Sequence, residues 1–229
     1  MLKLIKLEMK KIKMRGYIKG AFFSAIGILT MLFVFMFIDK IEGLKVLTDY
    51  KEAFLVIDVM VRVTFVIFAS VLISRLIINE YKDNTISILF TYPINRKKLI
   101  MSKLLIVLVF TFLAIIISNI FIGSILVIID SVYNIIPGNL TMDIINKNLL
   151  RIITNALSSS GMSLIPLYFG MRKKSASATI VSSILIATVI NSNNIGFSLS
   201  SIIAIPISLA ILGVLVAYLS IRNIEKVDI

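Results

Sequence analysis

The chain alternates long apolar runs with short polar connections, and the runs have the lengths of membrane spans. Gly20–Ile38 is nineteen residues without a charge, and Leu104–Ile129 is twenty-six. A helix rises 1.5 Å per residue, so about 20 apolar residues cross a hydrocarbon core of about 30 Å. On that measure the sequence predicts six spans, at about 20–38, 53–77, 104–129, 149–170, 175–190 and 199–221. The third is long enough that it must tilt or overshoot. The fourth carries Ser158-Ser159-Ser160-Gly161 and Pro166, small residues suited to close helix packing or a kink. The last two come from a 47-residue charge-free run, Ser175–Ile221, divided at Asn191-Ser192-Asn193-Asn194. A short fifth span beside an uncharged polar break reads either as a simple hairpin or as a re-entrant element. Asp130–Asn148 reads as a polar loop turning at Pro137-Gly138.

Two polar stretches have a periodicity of their own. Over residues 1–16, Met1, Leu2, Ile5, Met9, Ile12 and Gly16 share one helical face, with Lys3, Lys6, Lys10 and Lys13 beside it. This predicts a basic amphipathic helix lying on an anionic leaflet. Its role reads either as a topology anchor or as a lever in contact with a cytoplasmic partner. The second stretch, residues 79–103, is the longest strongly polar segment between two apolar runs. At one hundred degrees per residue Ile77, Ile78, Tyr81, Thr85, Ile88 and Leu89 fall on one face, and Glu80, Asp83, Asn84 and Ser87 on the other. Tyr92-Pro93 stops the helix, because proline lacks an N–H and disfavours helix at the residue before it. Arg96, Lys97 and Lys98 then form a basic anchor at the next apolar run.

Composition sharpens this picture. Hydrophobic residues make up 59% of the 229, and mean hydropathy is +1.02. A soluble domain runs nearer 45–50% apolar. The fold class is therefore an all-α integral membrane protein, a single transmembrane domain over residues 1–229. No cleavable signal peptide is evident, because no small-residue cleavage site follows the first apolar run. The net charge of +12 sits in short stretches beside apolar runs, which points to membrane topology and away from nucleic acid. With both termini inside, the inner segments hold 18 of the 24 basic residues and the outer loops five. That bias places both termini, residues 79–103 and the turn Arg172-Lys173-Lys174 in the cytoplasm of a multi-pass protein of the cytoplasmic membrane.

The chemistry available is narrow. There is no histidine and no cysteine, so the common metal and nucleophile–base sets are missing, and no catalytic or metal site is expected. No phosphate-binding G-x-x-x-x-G-K-[ST] loop occurs, so the chain is not itself an ATPase. Asp58 and Arg62 lie inside the second predicted span. At i and i+4 they can pair. Intramembrane charges are costly and functional by default. Asp58 lies about four residues from the outer end of its span, so the two read either as a self-neutralising pair reaching outward or as part of a substrate vestibule.

The stretch from Glu80 to Lys103 resembles the signature of ATP-binding-cassette exporter permeases of the ABC-2 type. Their pattern is an acidic residue, Gly-Thr, a leucine, a proline, an arginine three residues later, and a lysine. Glu80, Thr85, Leu89, Pro93, Arg96 and Lys103 match it, and Asn84 stands where glycine is usual. The resemblance implies a cytoplasmic coupling helix between spans two and three, with Glu80, Asn84, Thr85, Leu89, Pro93 and Arg96 at the ATPase-coupling site. It also implies two copies of a cytoplasmic ATPase that binds the ATP, no cofactor on this chain, and a second permease chain, identical or homologous. The expected function is export of a hydrophobic or amphipathic substrate, a peptide antibiotic or a lipid. The compact form looks closest to the bacitracin and lantibiotic export and self-protection branch, hence to antibiotic resistance. An ion-coupled secondary transporter and a non-transporting sensor or assembly subunit are the alternatives. The first would need ionisable groups near the midplane, and the second predicts no ATPase association.

Overall fold

In a computed structural model the described residues are 2–11, 14–42, 49–82, 96–133, 136, 138, 140–191, 193–194, 197–198 and 204–222. They are almost wholly helical. The short helix α1 (Leu2–Lys11) precedes α2 (Met14–Glu42). Next come α3 (Tyr50–Ile73), a π-helical turn at Ser74–Ile78, and the single turn α4 (Asn79–Lys82). The remaining helices are α5 (Arg96–Tyr133), α6 (Met142–Met162), α7 (Pro166–Lys173), α8 (Ala176–Asn191) and α9 (Ala204–Arg222). Between α8 and α9, β1 (Asn193–Asn194) pairs antiparallel with β2 (Phe197–Ser198), Asn193 opposite Ser198.

Three of these helices are long and apolar enough to cross a membrane: Met14–Ile38, the continuous run Tyr50–Lys82, and Lys97–Tyr133. Ala176–Val189 and Ile207–Ser220 are shorter apolar helices. The 38 residues of α5 span about 57 Å at 1.5 Å each, beyond the ~45 Å of a whole bilayer, so this helix tilts or projects. Large apolar side chains such as Phe22, Phe23, Phe37, Leu150 and Leu157 are exposed on the bundle exterior. In water that surface would be a liability; against acyl chains it is the expected face.

α3 is the central helix, packed against α2, α5, α6 and α8. One buried cluster surrounds its first half, where Ile57, Val61 and Phe65 meet Leu32, Ile115 and Ile122. A second surrounds its last turns, where Leu72, Ile73 and Ile77 meet Ile100, Val107 and Leu167. Phe68 links the two: its ring stacks on Phe110 at 5.8 Å and meets Phe65 at 6.2 Å and Tyr17 at 6.4 Å.

The serine–glycine stretch of α6 allows the close approach expected of it. A Cβ added at Gly213 of α9 would sit 2.1 Å from the carbonyl oxygen of Gly161, so the two backbones touch. The helix that carries these residues is not continuous. It ends at Met162, turns through Ser163–Ile165, and restarts at Pro166, where the missing N–H costs nothing in the first turn. The basic turn closes on Lys174, held left-handed at φ 46° as the cap of α7. At the other end α6 begins at Met142, so the polar stretch read as loop up to Asn148 already contains two helical turns bearing Asp143 and Lys147. Apolar periodicity could not find those turns, because their charges break the hydrophobic run.

Candidate functional site

Two buried polar clusters lie along α3, one just past its C-terminal end, called the inner cluster for its place in the expected topology, and one in its N-terminal half, called the outer. At the inner end Lys103, from the second turn of α5, is 1% exposed. Its ammonium forms an ion pair with Glu80 of α4, lies 3.9 Å from Glu8 of α1, and donates to the carbonyl oxygen of Leu76 at 3.0 Å. Leu76 stands in the π-helical turn, where the ladder widens: the N–H of Asn79 reaches back five residues to the Ser74 carbonyl. Lys11 of α1 closes the set with an ion pair to the second oxygen of Glu80 at 2.9 Å. A buried ammonium is tolerable only when paired and hydrogen-bonded, and here three helices supply its partners. Glu8 is itself buried, and its Oε2 has no hydrogen-bond partner.

This geometry changes the reading of Glu80. Periodicity places it on a polar face opposite Ile77, Ile78 and Tyr81, turned toward a soluble partner. In the structure it faces Lys103 and Lys11 of its own chain. The buried Lys103 ammonium requires a carboxylate, and Glu80 supplies it. Asn84, Thr85, Leu89 and Pro93 lie outside the described residues. Arg96 is the first residue of α5.

In the outer half, Arg62 Nε meets Asp58 Oδ2 at 3.1 Å along α3, and the Asn155 side-chain amide of α6 donates to the same oxygen at 2.7 Å. The two charged side chains are 1% and 6% exposed for Asp58 and Arg62. Both are buried inside the bundle, where Asn155 of α6 reaches them. Lys147, Arg151 and Asn155 recur at every fourth position along α6. Asp58 Oδ1 is buried without a hydrogen-bond partner. Farther out, Asp130 at the end of α5 accepts hydrogen bonds from the Tyr50 hydroxyl and from the backbone N–H of Ile136, the latter at 2.7 Å.

Sequence reasoning missed Glu8, Lys11, Arg151 and Asn155. Glu8 carried a signal, as the one acidic residue in the first 38 of a strongly basic segment. Asn155 carried none, since an asparagine among apolar residues announces no partner 97 positions away. No group of three or more His, Cys, Asp or Glu side chains able to hold a metal occurs among the described residues.

A helical chain with three spanning-length apolar helices and ion pairs buried between them is an integral membrane protein. A family model described as ABC-2 family transporter protein matches residues 4–191. The chain belongs to that family. It is also similar to the uncharacterized protein YcbO of Bacillus subtilis strain 168, 42% identical over 225 residues covering 98% of this chain and 99% of that one. No solved structure matches it significantly.

Proposed function

We propose that the chain is the membrane-spanning permease subunit of an ATP-driven exporter. It pairs with a separate cytoplasmic ATPase and moves a hydrophobic or amphipathic substrate, a peptide antibiotic or a lipid, across or out of the cytoplasmic membrane. The family membership carries the transporter reading. The inner cluster supports the coupling mechanism: Glu80, which opens the signature stretch, is tied to the N-terminal helix through Lys11 and to α5 through Lys103. Force delivered to the residues after Glu80 would therefore reach the N-terminal helix and two long helices together. On this reading Glu80 positions the coupling stretch, and Asn84, Thr85, Leu89, Pro93 and Arg96 are the residues that meet the ATPase. Six crossings, cytoplasmic termini, and two permease chains working with two ATPases complete the proposal, the second permease being identical or homologous.

The direct experiment is co-purification of the full chain with an ATPase encoded beside it. Leu89→Asp should leave insertion and abundance unchanged and abolish ATPase retention and substrate-stimulated hydrolysis, whereas Asp49→Lys should do neither. A normally inserted Leu89→Asp protein that retains the ATPase and transports as the parent does reduces the segment to a topological anchor. Orientation is tested in the cysteine-free chain with single cysteines at Thr48, Ser87, Ser175 and Asn193. An impermeant thiol reagent should label positions 48 and 193 in intact cells and spare 87 and 175; the reverse pattern overturns the topology.

A further inference from the structure

The outer ends of α3, α5 and α6 enclose two adjoining cavities that the coupling reading does not use. The first, about 350 Å³, is lined by Lys51, Lys147 and Arg151 around Phe54 and Asn148. The second, about 360 Å³, shares Phe54 and Asn148 and is mostly apolar, walled by residues such as Ile120, Ile128 and Leu149. Those three walls are also among the exposed apolar side chains, so the second cavity opens sideways toward acyl chains. At the junction the carboxamide oxygen of Asn148 is shielded from solvent and has no hydrogen-bond partner.

The charges of the first cavity favour an anion. Lys147 is offset by Asp143 at 2.7 Å on the exposed rim. Among the described residues neither Lys51 nor Arg151 has a carboxylate within ion-pair distance. One helical turn beneath Arg151, Asn155 reaches the buried Asp58–Arg62 pair, whose carboxylate also attracts Arg151 from beyond ion-pair distance. A basic cup that opens beside an apolar cavity facing the bilayer matches a molecule with a negative head and a hydrocarbon tail, since basic groups near the surface attract anionic lipid heads while apolar walls bury the chain. The shape is that of a pocket with few polar groups placed to orient its ligand.

We propose that this pair of cavities is a binding site for an anionic, phosphate-bearing lipid in the outer leaflet. Lys51 and Arg151 hold the head group, the Asn148 oxygen accepts a hydrogen bond from a head-group hydroxyl, and the α5–α6 cavity takes an acyl chain. The choice of leaflet rests on the proposed topology, and only the idea that a bound lipid is then moved rests on the transporter reading.

The test uses the full chain purified without an ATPase, so that it stands apart from the coupling experiment. Retained phosphatidylglycerol and phosphatidylcholine of matched chain length are counted by native mass spectrometry. The parent should retain phosphatidylglycerol preferentially. The double variant Lys51→Gln/Arg151→Gln should lose about thirtyfold of that affinity, two basic contacts' worth, and Lys51→Arg/Arg151→Lys should keep it. Ser124→Trp, which fills the apolar cavity from its wall, should weaken retention without touching a charge. Equal retention of the two lipids by the parent, or unchanged phosphatidylglycerol binding in the charge-removed double variant, overturns the proposal. So does competition by inorganic phosphate, or by an acidic peptide without an acyl chain, as effective as competition by the lipid.

Discussion

The two buried ionic clusters differ in how they are built. The outer one is local at heart: Asp58 and Arg62 are one helical turn apart on α3, and a single amide from α6 joins them. The inner one is assembled from α1, α4 and α5, with Lys103 at its centre and carboxylates 23 and 95 positions away in sequence. A local pair neutralises its own helix wherever that helix goes. A three-helix cluster makes the elements depend on one another, since none of its buried charges is compensated within its own helix. The inner cluster is therefore suited to hold a moving part in register, and the outer one to keep charge inside the bundle at tolerable cost.

The comparison can be broken at its centre. Lys103→Met leaves Glu8 and Glu80 facing each other under low exposure, and removing one partner of a buried pair costs about 3–5 kcal/mol. Thermal unfolding of the detergent-solubilised protein should show this as the largest loss of any single charge substitution here. Combining it with Glu8→Gln and Glu80→Gln removes the stranded charges and should recover at least half of the loss. A triple variant no better than Lys103→Met would mean that the lysine matters through packing alone.

Arg62→Leu ranks second. It strands Asp58, but the Asn155 amide remains as a hydrogen-bond donor, so the cost should fall at the low end of the same range, about 3 kcal/mol. The double variant Asp58→Asn/Arg62→Leu should return close to the parent by the same unfolding measurement. A double variant as unstable as the single one would show that α3 and α6 need the ionic pair itself.

The smallest effect is expected at Lys11, whose side chain is 53% exposed. Lys11→Ala removes an ion pair in solvent and should change stability by no more than about 0.5 kcal/mol. Substrate-stimulated ATP hydrolysis should fall more than stability does if the N-terminal helix is part of the lever. A large stability loss at Lys11 would erase the distinction between the centre and the edge of the inner cluster.

Much of the fold was legible because membrane helices announce themselves. Charge-free runs such as Leu104–Ile129 lie within α5, and Ser175–Ile221 contains two helices, α8 ending at Asn191 and α9 beginning at Ala204. The Asp58–Arg62 contact was legible too, since i and i+4 face each other on any helix. The start of α6 was not. Asp143, Lys147 and Arg151 look like loop charges in one dimension; in the structure Asp143 and Lys147 pair on the exposed face of α6, and Asn155 of the same helix reaches Asp58. The partners of Glu80 were not legible either, because Lys11 and Lys103 lie 69 and 23 positions away in sequence.

By itself, then, the sequence determined that this is a helical membrane protein, where its apolar runs lie and where its basic residues gather, because burial in hydrocarbon and charge bias act residue by residue along the chain. It also carried a stretch, from Glu80 to Lys103, that resembles the pattern of the family to which the chain belongs. Only the tertiary structure decided that Lys103 is buried, that Glu8 and Glu80 share it, that Asn155 reaches Asp58, and that the Gly161 and Gly213 backbones touch. Those contacts depend on which helix faces pack together. That choice is made by the shape and polarity of the whole bundle, which no local window of residues contains.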